Sequence, residues 1–249
     1  MYPFNPIIHR LQAIDSTNRE AFRLLETGSL KEGTVIVAES QSAGRGQGKT
    51  MWESAPGLNL TFSLLLRPVF LPPAQQFLLN QTIALGIRDC LSDKLFPERV
   101  SIKWPNDIYC KMGKVSGTLI ENRIMGGTFD WCVAGIGINV NQEVFSSDAP
   151  NPLSIKNLTN RAYDLEEMLN NCLAAIGKWY GMLRNGQLRN IQKVYLEHLM
   201  GLNEKGRFKA GKETFAGTIT GVDQYGRLQI LDENQQNLTF DIKEVQFLL

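Results

Sequence analysis

Histidine is nearly absent from this chain: His9 and His198 are the two in 249 residues, and neither stands beside an obvious cluster of ligand-type side chains. A structural zinc site is therefore not expected. The four cysteines, Cys90, Cys110, Cys132 and Cys172, are widely spaced and never form a Cys-x-x-Cys pair. They are expected to be reduced and mostly buried, acting as small apolar residues. No motif supports Ser-His or Cys-His nucleophilic catalysis. Net charge is also lacking, since 26 basic against 25 acidic residues leave +1 and no strong electrostatic footprint for nucleic acid. No apolar run reaches membrane-spanning length, and the start Met1-Tyr2-Pro3-Phe4 has no signal-peptide pattern. These absences predict a cytoplasmic protein with neither a membrane nor a nucleic acid as partner.

What is present is a chain 43% hydrophobic, long enough for one large domain with a small appendage. Apolar periodicity predicts helices at about residues 18–27, 73–91, 164–184 and 187–199, interleaved with strands at about 34–39, 58–66, 101–110, 115–121 and 128–140. Loops and hairpins join several of these strands, so the expected class is α+β with a mixed or antiparallel sheet. After Gly201-Leu202-Asn203-Glu204-Lys205-Gly206 the character changes. Thr214–Val222, Arg227–Leu231 and Leu238–Ile242 read as short strands of a small β-barrel that leans on the main body. The expected division is therefore 1–202 and 203–249.

Ala43-Gly44-Arg45-Gly46-Gln47-Gly48-Lys49-Thr50 comes within one residue of the phosphate-loop pattern and follows the strand-like run Thr34-Val35-Ile36-Val37-Ala38. A phosphate loop of that type must open a helix, yet Met51-Trp52-Glu53-Ser54-Ala55 runs into Pro56-Gly57 and then into Leu58–Leu66, an alternating strand. The loop joins two strands. Its three glycines beside Arg45 and Lys49 can still bring backbone N–H groups and cations to an anion, although a long surface hairpin has the same composition.

Further blocks stand in a set order: Asp15-Ser16-Thr17-Asn18, the glycine loop ending at Trp52, Asn59–Leu66, Lys103-Trp104-Pro105-Asn106-Asp107-Ile108, Lys114-Val115-Ser116-Gly117-Thr118-Leu119-Ile120-Glu121 and Gly135-Ile136-Gly137-Ile138-Asn139-Val140-Asn141. In this order the chain resembles biotin protein ligases over more than half its length. The resemblance implies an architecture shared with class II aminoacyl-tRNA synthetases and an SH3-like barrel at the C-terminus. It also implies a reaction in which biotin and MgATP form biotinyl-5'-AMP, and the acyl group passes to one lysine of a biotin carboxyl carrier domain. Because Asp15-Ser16-Thr17-Asn18 arrives almost at once, a monofunctional ligase without a DNA reader is expected. A homodimer is left open.

Biotin's ureido ring presents two N–H donors and one carbonyl acceptor, which short hydroxyls and an amide can meet. By resemblance, Ser16, Thr17, Asn18 and Gln41 bind that ring, with Gly44, Arg45, Gly46, Gln47, Lys114, Gly117, Gly135 and Ile138 around the rest of biotin. Thr17 can equally cap a helix, with Glu20 completing a capping box. Positive charge where the carboxylate meets the α-phosphate is the main catalytic lever, so Arg45 and Lys114 are the expected catalytic pair. A solvated turn is the ordinary use of a lysine placed like Lys114.

Arg45, Trp52, Lys103, Asn106, Lys114 and Asn139 are expected at ATP, and Asn106 with Asp107 at magnesium. An Asn-Asp turn is the plain alternative for the last two. Gly117, Gly135 and Gly137 lie in strand-like runs where either a close ligand or a bulge would explain glycine. The polar stretch from Asn139 to Leu153 resembles a lid that folds over the adenylate. One departure is Gln47, where relatives carry a further arginine; faster escape of the intermediate is expected unless Lys49 compensates. A lipoate ligase or octanoyltransferase, or a biotin-binding sensor without turnover, are the competing readings.

Overall fold

The computed structural model describes residues 6–28, 30–48, 50–95, 100–147 and 151–248. Seven strands form the main sheet: β1 (Ile7–Ile14), β2 (Thr34–Gln41), β3 (Leu60–Leu66), β4 (Val100–Lys103), β5 (Asp107–Cys110), β6 (Gly113–Met125) and β7 (Thr128–Ile138). Their spatial order is β1-β2-β3-β7-β6-β5-β4. Only the β1–β2 pair in this sheet is parallel, so the sheet is mixed as the loop-joined strands predict. β3 lies inside the sheet between β2 and β7, and every one of its residues is buried. This explains the unbroken apolar end of its sequence.

Two layers of helix clothe the sheet. One face carries α2 (Phe77–Ser92), α4 (Leu165–Arg184) and α5 (Leu188–Glu197), which share a core with Phe62, Leu64, Ile136 and Ile138. α2 is buried on nearly all sides because sheet and neighbouring helices enclose it, which accounts for its lack of a polar stripe. The other face carries α1 (Thr17–Glu26), with Ala21 and Leu25 packed on Ile36, Leu65, Trp131 and Val133. Since α1 is short, this second face is only partly covered. The uncovered part is where the site lies. A further short helix, α3 (Ile155–Thr159), is opened by a capping box between Ser154 and Asn157.

Two strand expectations are corrected. The run 101–110 is a hairpin, β4 and β5, whose last pair is Lys103 with Asp107. Pro105, with no N–H to give a ladder, ends the first strand. β1 has no counterpart among the expected strands, because an edge strand with several exposed side chains lacks a clear apolar alternation.

Beyond α5 the expected change of character holds. β8 (Lys205–Ala210), β9 (Glu213–Val222), β10 (Leu228–Asp232), β11 (Asn237–Phe240) and β12 (Val245–Phe247) form an antiparallel sheet in the order β11-β10-β9-β8-β12. Phe208, Phe215, Phe240 and Phe247 stack through it at centroid distances of 5.5–5.8 Å. Ile219, Leu228, Ile230 and Val245 join the main core, and the Trp104 indole donates to the Gly226 carbonyl at 2.9 Å. The small sheet is therefore anchored on the large one.

All four cysteines are buried and free of disulfides, as expected. Burial pushes the Cys132 thiol up to about 12, so it stays protonated. Gly181, within α4, has open space where a β-carbon would stand. Gly181→Ala should stabilise the protein by roughly 0.5–1 kcal/mol, read from a denaturant midpoint.

Candidate active site

On the partly covered face of the sheet, a cavity of about 1200 Å³ runs from the start of α1 to the small C-terminal sheet. Its polar end is built on α1. Ser16 is the N-cap, and its side chain makes no capping bond, so the capping box expected at Thr17 is not formed. Instead, Thr17 is drawn inward: its N–H donates to Gln41 Oε1 at 2.8 Å, and its hydroxyl lies 2.8 Å from Ser63 Oγ. Ser63 Oγ is also 2.6 Å from Asn18 Oδ1. A hydroxyl has one proton, so Ser63 can donate to only one of these two neighbours. Asn18 Nδ2 donates to Glu121 at 2.8 Å and, more weakly, to the Leu119 carbonyl at 3.3 Å. Ser16, Thr17 and Asn18 are nearly fully buried, yet all three line the cavity.

The glycines form the floor. A β-carbon at Gly135 would overlap the Asn18 amide, and one at Gly137 would overlap the Trp52 indole. At Gly117 it would stand 2.8 Å from the Trp52 ring and 3.1 Å from Lys114 Nζ. Close approach, and not a bulge, accounts for these glycines, since the β6–β7 ladder is regular from Ser116 to Arg123. Gly44 is placed in the same way under the Trp52 carbonyl.

Arg45 and Lys114 of the cavity are paired, and the Glu121 carboxylate that holds Asn18 also holds Arg45. Arg45 faces Glu121 at 3.1 Å, and Lys114 Nζ donates to Asp107 Oδ2 at 2.5 Å while standing 5.8 Å from the Trp52 ring centroid. Lys103 Nζ sits between the Tyr109 and Phe247 rings, at 5.1 and 5.2 Å from their centroids. Burial lowers its pKa and pushes the Tyr109 phenol up to about 12. Asn106 Nδ2 donates to Asn80 Oδ1 at 2.7 Å. Asn139 holds the chain locally through Nδ2, which reaches the Lys114 and Leu153 carbonyls at 3.3 Å. Three buried polar atoms of cavity residues are left without partners: the Trp52 indole N–H, a donor, Asn139 Oδ1, an acceptor, and the Thr118 hydroxyl. Such orphans are costly unless a ligand meets them.

Arg45, Gly46, Gln47, Trp52, Lys103, Asn106, Asp107, Lys114, Gly117, Gly135 and Asn139 thus meet on one cavity with Ser16, Thr17, Asn18 and Gln41. Gly44, beneath the Trp52 carbonyl, is not among the lining residues, and Ile138 does not join them. It is fully buried in the helix-side core, because β7 alternates and its glycines take the cavity face. Lys49 and Asp148–Pro150 lie outside the described residues, so the compensation expected of Lys49 does too.

Three residues were not anticipated. Ser63 and Glu121 tie the polar end together, and Glu53 ties the glycine loop to the 139–153 segment. Burial alone would raise the Glu53 carboxyl, but donors on Ser147 and Ser146 outweigh it and hold it at about 2. The backbone N–H groups of Ser146 and Ser147 reach it at 3.0 and 2.8 Å. Because the folded-state pKa is depressed, this clasp is intact above about 4.5 and is lost as pH falls toward 2. Glu53→Gln should loosen the 139–147 segment at neutral pH, seen as faster amide hydrogen exchange there with little change elsewhere.

The site sets buried hydroxyls and amides beside paired cations and a glycine loop, in a fold of the α+β class. The chain belongs to the Biotin/lipoate A/B protein ligase family, whose model matches residues 11–139. It is 32% identical over 225 residues to a biotin--[acetyl-CoA-carboxylase] ligase of Paracoccus denitrificans, covering 88% of this chain and 91% of that one. It is 29% identical to the bifunctional ligase/repressor BirA of Bacillus subtilis, covering 89% and 68%. Among solved structures, the biotin protein ligase of Aquifex aeolicus in complex with biotin and ATP superposes with a TM-score of 0.77 at 26% identity, over 96% of this chain and 97% of that one.

Proposed function

We propose that this chain is a biotin protein ligase, which activates biotin with MgATP to biotinyl-5'-AMP and passes the acyl group to a lysine of a biotin carboxyl carrier protein. The observation that carries this reading is a buried hydroxyl and amide cluster set beside carboxylate-paired Arg45 and Lys114 along one glycine floor. Ser16, Thr17, Asn18 and Gln41 match the donors and acceptor of a ureido ring. A lipoate-type ligase takes a flexible aliphatic acid, which gives those four side chains nothing to bond.

Arg45 and Lys114 take the acid end. In the resting state each faces a carboxylate, so the cations are held in place before the anions arrive and exchange one partner for another. The biotin carboxylate attacks the α-phosphorus, the P–O bond to the β-phosphate breaks, and pyrophosphate leaves. Arg45, through its planar fork, bridges carboxylate and phosphate, while Lys114 acts as a point charge. The carrier lysine amine then attacks the acyl carbon, and AMP leaves with the bonding pair.

Trp52, Lys103, Asn106 and Asn139 bind the nucleotide, with Trp52 N–H and Asn139 Oδ1 available to it. Among the described residues no group of three or more His, Cys, Asp and Glu could cage a metal alone. Magnesium carried on a triphosphate keeps its waters and needs only one or two protein oxygens, which Asn106 and Asp107 would supply. Bound there, the ion would neutralise phosphate charge.

The large sheet is the class II synthetase-like catalytic domain, 1–202, and the small one is the SH3-like domain, 203–249. Biotin-dependent exchange of labelled pyrophosphate into ATP is the decisive assay. Exchange that does not depend on biotin would overturn the reading. At Gln47 a neutral amide stands in the glycine loop, and Gln47→Arg should slow the escape of biotinyl-AMP several-fold, measured as its dissociation rate; equal rates would remove any role for that position.

A further inference from the structure

The small C-terminal sheet reaches the cavity through the turn between β11 and β12, where Ile242 and Lys243 join the lining. Lys243 has φ 78°, an uncommon conformation for a residue with a side chain. Asp241 and Glu244 brace the turn reciprocally: the Glu244 N–H donates to the Asp241 carbonyl at 3.0 Å, and the Asp241 N–H to Glu244 Oε2 at 2.8 Å. Held this way, the Lys243 side chain extends to the glycine loop of the main body. Its ammonium lies so close to Gly48 that a β-carbon there would overlap it. Gly48 itself has φ 71°. The lysine and the glycine thus share one spot above the loop.

Charge accounting gives this contact a purpose. The described residues lining the cavity include four cations, Arg45, Lys103, Lys114 and Lys243, against two carboxylates, Glu53 and Asp107. Arg45 is matched by Glu121 and Lys114 by Asp107, while Lys103 is packed between two rings. Lys243 alone of the four has neither an ion pair nor a ring contact among the described residues. An unpaired cation set over a glycine-rich backbone is suited to an anion that enters between them. Gln47, one residue before Gly48 in the loop, carries no charge of its own.

We propose that Lys243 is a phosphate-binding residue that reaches from the C-terminal sheet onto the glycine loop and supplies the positive charge that Gln47 does not. The proposal rests on the ligase reading for the identity of the nucleotide, though its core is only that a nucleotide phosphate sits between Lys243 and Gly48. Contact with the α-phosphate persists from ATP to biotinyl-AMP after pyrophosphate leaves, so the lysine acts on nucleotide affinity and on retention of the adenylate, and not on the biotin ring. It also gives the small sheet a direct part in the reaction.

The test compares Lys243→Met, Lys243→Arg and, as a control, Lys212→Met, a lysine in the exposed β8–β9 turn. Equilibrium binding of ATP, read by calorimetry, should weaken about tenfold in Lys243→Met and stay near native in the other two. In the exchange assay the KM for ATP should rise by a similar factor, with the KM for biotin unmoved. Biotinyl-AMP should leave Lys243→Met faster, and Gln47→Arg should slow its departure more in that background than in the native one, because the two cations would serve one phosphate. Unchanged ATP affinity in Lys243→Met, with biotin-dependent exchange intact in the native chain, overturns the proposal and spares the ligase reading. Loss of ATP affinity on substitution, with no biotin-dependent exchange in the native chain, does the reverse.

Discussion

Lys114→Ala is expected to lower biotin-dependent pyrophosphate exchange by about a thousandfold while the protein stays folded. The two halves of that statement come from different magnitudes. The ion pair with Asp107 leaves 22% and 27% of the two side chains exposed, so water partly screens it and breaking it costs roughly 1–3 kcal/mol of stability. The backbone of Lys114 is held independently of its side chain, donating to the Asn151 carbonyl at 2.7 Å and accepting from the Leu153 N–H at 2.9 Å. A charge aimed at a transition state in a cavity is worth far more, commonly two to three orders of magnitude in rate. Single-turnover formation of biotinyl-AMP, measured beside a thermal melt, checks both parts. A loss of less than tenfold would reduce Lys114 to an anchor for Asp107. Asp107→Asn separates the cases further, because a purely structural pair predicts equal damage from either side.

Why Lys114 could be singled out, and Glu121 could not, shows what the chain makes legible. Local spacing and the absence of a helix place the glycine loop between strands, whereas Lys114 stood out only by resemblance, its ordinary reading being a solvated turn lysine. β1 was hidden because half of an edge strand faces solvent and its pattern resembles a loop. The β4–β5 break was visible as Pro105, yet the apolar residues on both sides imitate one strand. Ser63, Glu121 and Glu53 act on partners tens of residues away in sequence, and nothing near them foretells which. Ser63 did leave a trace: Thr61 and Ser63 put hydroxyls on one side of an otherwise apolar strand, a side that should face something polar. The capping alternative for Thr17, offered because Glu20 stands at the right distance, is not taken up, since its hydroxyl meets Gln41 and Ser63. Ile138 was assigned to biotin along with its motif, while the two-residue period of β7 sends it the other way.

Gly135→Ala is expected to weaken biotin binding by about a hundredfold, with ATP affinity nearly unchanged. One methyl can do this because of what it meets: the Asn18 amide, whose Cγ would lie 2.9 Å and Nδ2 3.0 Å from the new carbon, with Oδ1 closer still. Asn18 is 3% exposed and cannot swing aside, since its amide is fixed by Ser63, Glu121 and the Leu119 carbonyl. Two relaxations are open, and each is costly. If the amide turns, a buried network loses bonds worth roughly 1–3 kcal/mol, and the ring-binding end loses its shape. If β7 moves, the ladder that also carries Gly137 and the Trp52 contact shifts with it. Either way the damage falls on the hydroxyl and amide cluster proposed to hold the ureido ring, and not on the residues proposed to hold the triphosphate. Calorimetric titration with biotin and, separately, with ATP reads the difference. Gly135→Ala combined with Asn18→Ser, which shortens the obstructing side chain, should recover part of the biotin affinity by removing the overlap. Failure to recover any, where Asn18→Ser alone keeps most of the native biotin affinity, would mean that biotin meets the strand at Gly135 directly and that Asn18 is not the group being displaced.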